Sequence, residues 1–121
     1  MCSSDLPDMG THAVLDRFKQ ITPKVLLAVD GVTYGGKDLE RLSVVNELRQ
    51  ALPSVQHVVI YRNLGGQPPI ADSVDWAQIV QRNDSAVHAF VPLWLDFNHP
   101  LWIVYSSGTT GLPKQIGRAH V

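Results

Sequence analysis

The chain has 121 residues, 45% of them hydrophobic and 17% charged, with ten basic against eleven acidic side chains and a net charge of −1. That is one ordinary domain of globular composition, and the even charge balance leaves no footprint for nucleic acid or an acidic membrane surface. A single cysteine, Cys2, rules out a disulfide scaffold and cysteine-based zinc sites, which fits a cytoplasmic setting, and no apolar run is long enough to span a bilayer.

Taken in chain order, Ala13 to Ile21 carries Val14, Leu15, Phe18 and Ile21 at helical spacing, so it predicts a short amphipathic helix that Pro23 ends. Lys24 to Asp30 encloses a continuous apolar run, the pattern of a strand covered on both faces. Asp30-Gly31 predicts a hairpin turn into a short strand, Val32 to Tyr34, with Gly35-Gly36 as the following loop. Lys37 to Leu52 has the most regular helical pattern. Leu39, Leu42, Val45, Leu48 and Leu52 make one apolar stripe, Asp38 and Glu40 suit the positive N-terminal end, and Pro53 closes the helix.

Gln56 to Tyr61 reads as a second buried strand. Arg62 to Ser73, with two glycines and two prolines, reads as a surface loop, and Val74 to Gln81 as a short helix. Ala89 to Leu95 predicts a strand, bent or at an edge because of Pro92. Leu101 to Tyr105 is a strand running into a segment rich in glycine, serine and threonine. Such alternation predicts an α/β fold with a mostly parallel sheet and flanking helices. Lys24–Asp30, Gln56–Tyr61 and Leu101–Tyr105 are expected side by side and parallel, with Lys37–Leu52 on one face. Ligand loops belong at the carboxyl ends of such strands.

The segment Tyr105-Ser-Ser-Gly-Thr-Thr-Gly-Leu-Pro-Lys114 occupies that position. Glycines at 108 and 111 let the backbone approach an anion closely. Backbone N–H groups and the hydroxyls of Ser106, Ser107, Thr109 and Thr110 can donate to phosphate oxygens, and Lys114 adds a point charge. A Walker A loop requires glycine directly before its lysine, and here Pro113 stands there. The bland alternative, a polar turn without a ligand, does not account for the apolar lead-in, the paired glycines and the Pro-Lys ending together.

Other candidates are weaker. His99, between Asn98 and Pro100, reads as a turn residue, and His12, His57 and His88 lack metal-ligand spacing. Trp76, Trp94 and Trp102 read as core packing, Asp72 and Asp75 as no catalytic carboxylate pair, and Lys37 as a solvated side chain. No catalytic residue and no metal ligand can be assigned from the sequence.

The two ends of the chain share a different property. Ile116-Gly-Arg-Ala-His-Val121 back-translates to ATC GGA AGA GCA CAC GTC. The reverse complement, read from its GTG, encodes Met1-Cys-Ser-Ser-Asp5. One oligonucleotide in two orientations, resembling a short-read sequencing adapter, thus writes both ends. Residues 1–6 and 115–121 are therefore read as adapter-derived tails and set aside from fold and function reasoning. Both are expected to order poorly or pack arbitrarily.

The Ser-Ser-Gly-Thr-Thr-Gly-Leu-Pro-Lys segment resembles the phosphate loop of the AMP-dependent synthetases and ligases, the acyl-adenylate-forming enzymes. Residues 7–114 as a whole resemble part of the N-terminal, AMP-binding domain of one branch, the acetoacetate–CoA ligases. The resembling blocks include Val14-Leu-Asp-Arg-Phe18, Pro23-Lys-Val-Leu26, Val29-Asp-Gly31, Gly35-Gly-Lys37, Ala51-Leu-Pro-Ser54 and His99-Pro-Leu-Trp102. The loop is common to the superfamily, whereas Asp-Gly…Gly-Gly-Lys and His-Pro-Leu-Trp point to this branch.

The resemblance implies a two-step reaction. ATP and acetoacetate give an acyl-adenylate and pyrophosphate, and the thiol of coenzyme A then displaces AMP. Magnesium is implied with the nucleotide, and the implied partners are these small molecules, with no nucleic acid and no membrane. By matching positions, Ser106, Ser107, Gly108, Thr109, Thr110, Gly111 and Lys114 carry over as ATP-phosphate-binding. The adenine, acyl and coenzyme A surfaces and the catalytic lysine have no counterpart here, so the polypeptide by itself is expected to be inactive. Acetyl-CoA and medium-chain acyl-CoA synthetases, or a non-catalytic nucleotide-binding module, are the alternatives.

Overall fold

The computed structural model describes residues 10–66, 70–106 and 114–117. They fall into two compact units, dividing between Arg82 and Asn83.

The first unit opens with helix α1 (Thr11–Ile21), which buries Val14 and Leu15 and is stopped by Thr22 in the left-handed region, just before Pro23. Strand β1 (Val25–Val29) follows and pairs in parallel with β4 (His57–Tyr61), Leu26 opposite Val58 and Ala28 opposite Ile60. Strand β5 (Ser73–Asp75) adds to the other edge of β4, also parallel, giving the order β1-β4-β5. The predicted parallel pairing of the first two long strands is thus present, with flanking helices. Strands side by side in this direction need a crossover, and helix α2 (Leu42–Ala51) lies within it.

The core forms where one sheet face meets the two helices. Leu26, Val58 and Ile60 from the strands pack with Val14 and Leu15 of α1, Val45 and Leu48 of α2, and Leu52 just beyond it. Phe18, Ala28, Leu42, Val44, Ala51, Val55 and Ile70 surround this cluster. Side chains alternate along a strand, so Val25, Leu27 and Val29 point the other way, and all three are exposed. The expectation of a strand covered on both faces is met on one face only among the described residues.

Three local predictions change. Asp30-Gly31 is not the hairpin turn. The turn is Gly35-Gly36, joining β2 (Gly31–Tyr34) to β3 (Lys37–Glu40) in an antiparallel pair. Both glycines have positive φ, 58° and 74°, as a two-residue turn matched to strand twist requires. The predicted Lys37–Leu52 helix therefore loses its first residues to β3. Asp38 accepts a bond from Thr33 Oγ1 across the hairpin (2.6 Å) instead of lying in a helical turn. The helix begins after Glu40, whose carboxylate takes both the N–H and the hydroxyl of Ser43 at 3.0 Å. Val74–Gln81 likewise divides into β5 and a short helix, α3 (Trp76–Val80), capped by Asp75 through the N–H of Ala77.

The second unit contains helix α4 (Ser85–His88), capped by Asp84, and a two-stranded antiparallel sheet of β6 (Ile103–Ser106) and β7 (Lys114–Gly117). Two expectations are corrected here. Ala89–Leu95 forms no strand, because Pro92 removes a ladder donor in its middle. The third predicted strand does not join the parallel sheet. β6 pairs only with β7 among the described residues, and antiparallel. Gln115 to Gly117, read as adapter-derived, supplies β7 backbone opposite Tyr105, Val104 and Ile103, a ladder that main-chain groups of almost any sequence can make. Residues 1–6 and 118–121 lie outside the described residues.

Candidate functional site

The apolar stretch Ile103-Val-Tyr105 extends as β6 and delivers the motif's first serine, Ser106, as the last residue of that strand. Lys114, the motif's final residue, is the first of β7 and stands opposite Ser106 in the antiparallel register. Such partners have Cα atoms about 5 Å apart. The two ends of the motif are thereby brought together. Ser107, Gly108, Thr109, Thr110 and Gly111 lie outside the described residues.

The remaining candidates are scattered. His99 is a turn residue, its N–H donating to the Asp96 carbonyl at 2.9 Å. His12, His57, His88 and Lys37 are exposed. Asp72 and Asp75 have separate cationic partners, Arg49 at 3.1 Å and Arg62 at 2.8 Å, so they do not form a carboxylate pair. The tryptophans do not build a core: Trp94 is 94% exposed, Trp102 57% and Trp76 37%. No helix among the described residues is long and apolar enough to cross a membrane. No group of three His, Cys, Asp or Glu that could hold a metal ion occurs among them.

One residue that the sequence reading assigned to a turn has a larger part. Asp30, at the carboxyl end of β1, is the buried polar residue of the described chain, at 1% exposure. Its Oδ1 accepts from the N–H groups of Asn63 (2.7 Å) and Leu64 (3.0 Å), and Oδ2 from that of Gly65 (3.0 Å). Burial raises the pKa of this carboxyl group. The bonds from Leu64, Gly65, Asn63 and Gly31 outweigh burial and hold it below its usual value. The available signal was an acidic residue closing an apolar strand directly before a glycine.

No protein-family model matches the chain. Solved structures define the class first. A luciferase-like enzyme from Zophobas morio shares the fold at a TM-score of 0.65 and 18% identity, covering 93% of this chain and 23% of that one. The fold is thus that of a segment of the adenylate-forming enzymes.

Within that class, an acetoacetyl-CoA synthetase from Streptomyces lividans matches at a TM-score of 0.80 and 44% identity, over 92% of this chain and 16% of that one. Acetoacetyl-CoA synthetases of Mus musculus and Rhizobium meliloti (strain 1021) are each 37% identical over 93% and 94% of this chain. Sequence and fold together support the acetoacetyl-CoA synthetase family for this segment. The chain spans about 18% of the length of the curated relatives it matches.

Proposed function

We propose that this chain is a segment of an ATP-dependent, AMP-forming acetoacetate–CoA ligase, and that Ser106 to Lys114 is its phosphate loop. In the whole protein a carboxylate oxygen of acetoacetate attacks the α-phosphorus of ATP, the bond to the bridging oxygen breaks, and pyrophosphate leaves. The thiol of coenzyme A then attacks the acyl carbon of the adenylate and AMP departs.

Within this scheme the segment binds rather than reacts. Backbone N–H groups around Gly108 and Gly111 and the hydroxyls of Ser106, Ser107, Thr109 and Thr110 hold the β- and γ-phosphates. Lys114 offsets charge that builds on the departing pyrophosphate, stabilising the transition state more than the bound substrate. Magnesium, when bound with the nucleotide, would neutralise part of the same charge.

The observation that supports the reading is the backbone pairing of Ser106 with Lys114, which sets the first serine and the final lysine of the motif opposite each other. In the full-length protein, Lys114→Ala should slow ATP–pyrophosphate exchange on the order of a hundredfold, with a smaller change in the KM for acetoacetate. An unchanged exchange rate removes Lys114 from the mechanism.

A further inference from the structure

We propose that Asp30 is a positioning residue, a carboxylate latch that joins the loop after β4 to the β2–β3 hairpin. Through it, residues 31–40 and 62–66 form one ledge at the carboxyl ends of β1 and β4. Loops in this position are the ones that reach ligands in open α/β sheets. The latch is independent of the phosphate-loop proposal, since none of its residues belongs to that motif.

The geometry is specific. Three successive N–H groups, of Asn63, Leu64 and Gly65, converge on one carboxylate, which fixes the backbone path rather than a side-chain position. Gly65 has φ 75°, a conformation that bends the chain toward the acceptor and suits glycine. Asn63 returns the contact, its Nδ2 donating to the Gly31 carbonyl at 3.1 Å. The main chain of Asp30 is held on both sides, its N–H donating to the Tyr61 carbonyl (3.2 Å) and its carbonyl accepting from Arg41 (2.8 Å). Leu64 closes over Gly31, where an added Cβ would overlap Leu64 Cδ1 and the Leu39 carbonyl oxygen. The end of β1, both hairpin strands and the loop after β4 therefore meet at two neighbouring residues. The Arg62–Asp75 ion pair (2.8 Å) ties the base of that loop to β5.

A plain core role for Asp30 predicts a different response to substitution. Asparagine has nearly the same volume but one acceptor oxygen, and its amide nitrogen would face a backbone donor. Hydrogen exchange followed by mass spectrometry on the 121-residue chain, at low micromolar concentration, reads the difference. With Asp30→Asn, peptides covering 31–40 and 62–66 should exchange together, on the order of ten- to a hundredfold faster. Peptides covering 25–29 and 57–60 should accelerate much less, by no more than the loss of global stability. Asp75→Asn should leave the hairpin unaffected.

If Asp30→Asn does not fold, Asn63→Ala removes the returning bond to Gly31 and should give the same joint acceleration at smaller size. Equal acceleration across the strands of the core, acceleration of 62–66 without the hairpin, or no acceleration would each overturn the latch.

Discussion

Residues 10–82 and residues 83–117 are both rich in large apolar side chains, yet among the described residues only the first unit has a core. Val14, Leu26, Val45, Leu52, Val58 and Ile60 are buried there because two helices present apolar stripes to an alternating strand face. In the second unit, Phe90, Leu93, Trp94 and Phe97 are 74% to 94% exposed. Apolar composition does not make a core by itself. It needs two layers whose periodicities bring the same face together, and residues 90–102 adopt no helix or strand that would sort their side chains onto a face.

The largest expected effect tests that contrast. Leu52→Ala, at 2% exposure, should cost about 2–5 kcal/mol by transfer and cavity terms. Trp94→Ala should change stability by about 0.5 kcal/mol or less despite removing more apolar surface. Urea melts of the two variants measure this, and an equal loss would show that Trp94 belongs to a packed core. The exposed cluster should also make the isolated chain self-associate, with light scattering rising with concentration. Trp94→Asp should lower that scattering, whereas a monomer at all concentrations would contradict the contrast.

An intermediate effect is expected from pH. Asp30 has its folded pKa below the unfolded value, so it binds its proton more weakly when folded. Its contribution is fully present above the unfolded carboxylate pKa, about 3.9, and is lost as pH falls through the lower folded value. Urea midpoints between pH 6 and pH 2 should therefore fall more steeply for the native chain than for Asp30→Asn. Parallel curves would assign the acid sensitivity elsewhere.

The smallest expected effect is at the surface of the first unit. Asp72 is 84% exposed at its side chain and pairs with Arg49, so Asp72→Asn should cost about 1 kcal/mol or less. Asn also tolerates the φ of 57° at this position, which keeps backbone strain out of the comparison. A loss matching that of Leu52→Ala would mean that the Arg49 contact organises the 70–73 turn.

How much of this was legible in the sequence follows the same division. The continuous apolar runs of β1 and β4 and the periodic helical stripe from Leu42 to Leu52 announced the parallel pair and its crossover, although β1 is covered on one face only among the described residues. Lys37 to Glu40 was misread as helix because Leu39 happens to fit the stripe. The two glycines before it, which close a tight hairpin, decided the structure instead. Ala89 to Leu95 was misread as a strand, bent or at an edge because of Pro92, and the segment is no strand. The antiparallel partner of β6 could not be foreseen, because β7 lies in a stretch set aside from fold reasoning. Of the candidate site, Ser106 ends a strand and Lys114 begins the one paired with it, while Ser107 to Gly111 lie outside the described residues. Asp30 was read as a turn former, since nothing local in a sequence shows which distant N–H groups will converge on a carboxylate.

The central claim is that this segment comes from a ligase that activates acetoacetate, and substrate preference in the full-length protein tests it most directly. CoA-dependent AMP release should be measured with acetoacetate, acetate and butyrate, alongside the 121-residue polypeptide as a control. The full-length protein should show its highest kcat/KM with acetoacetate. The control should show no release, because catalysis needs reacting atoms held within about 3–3.5 Å of each other and the chain spans about 18% of the length of its relatives. A higher kcat/KM with acetate or butyrate would contradict the acetoacetate assignment and leave only the adenylate-forming class.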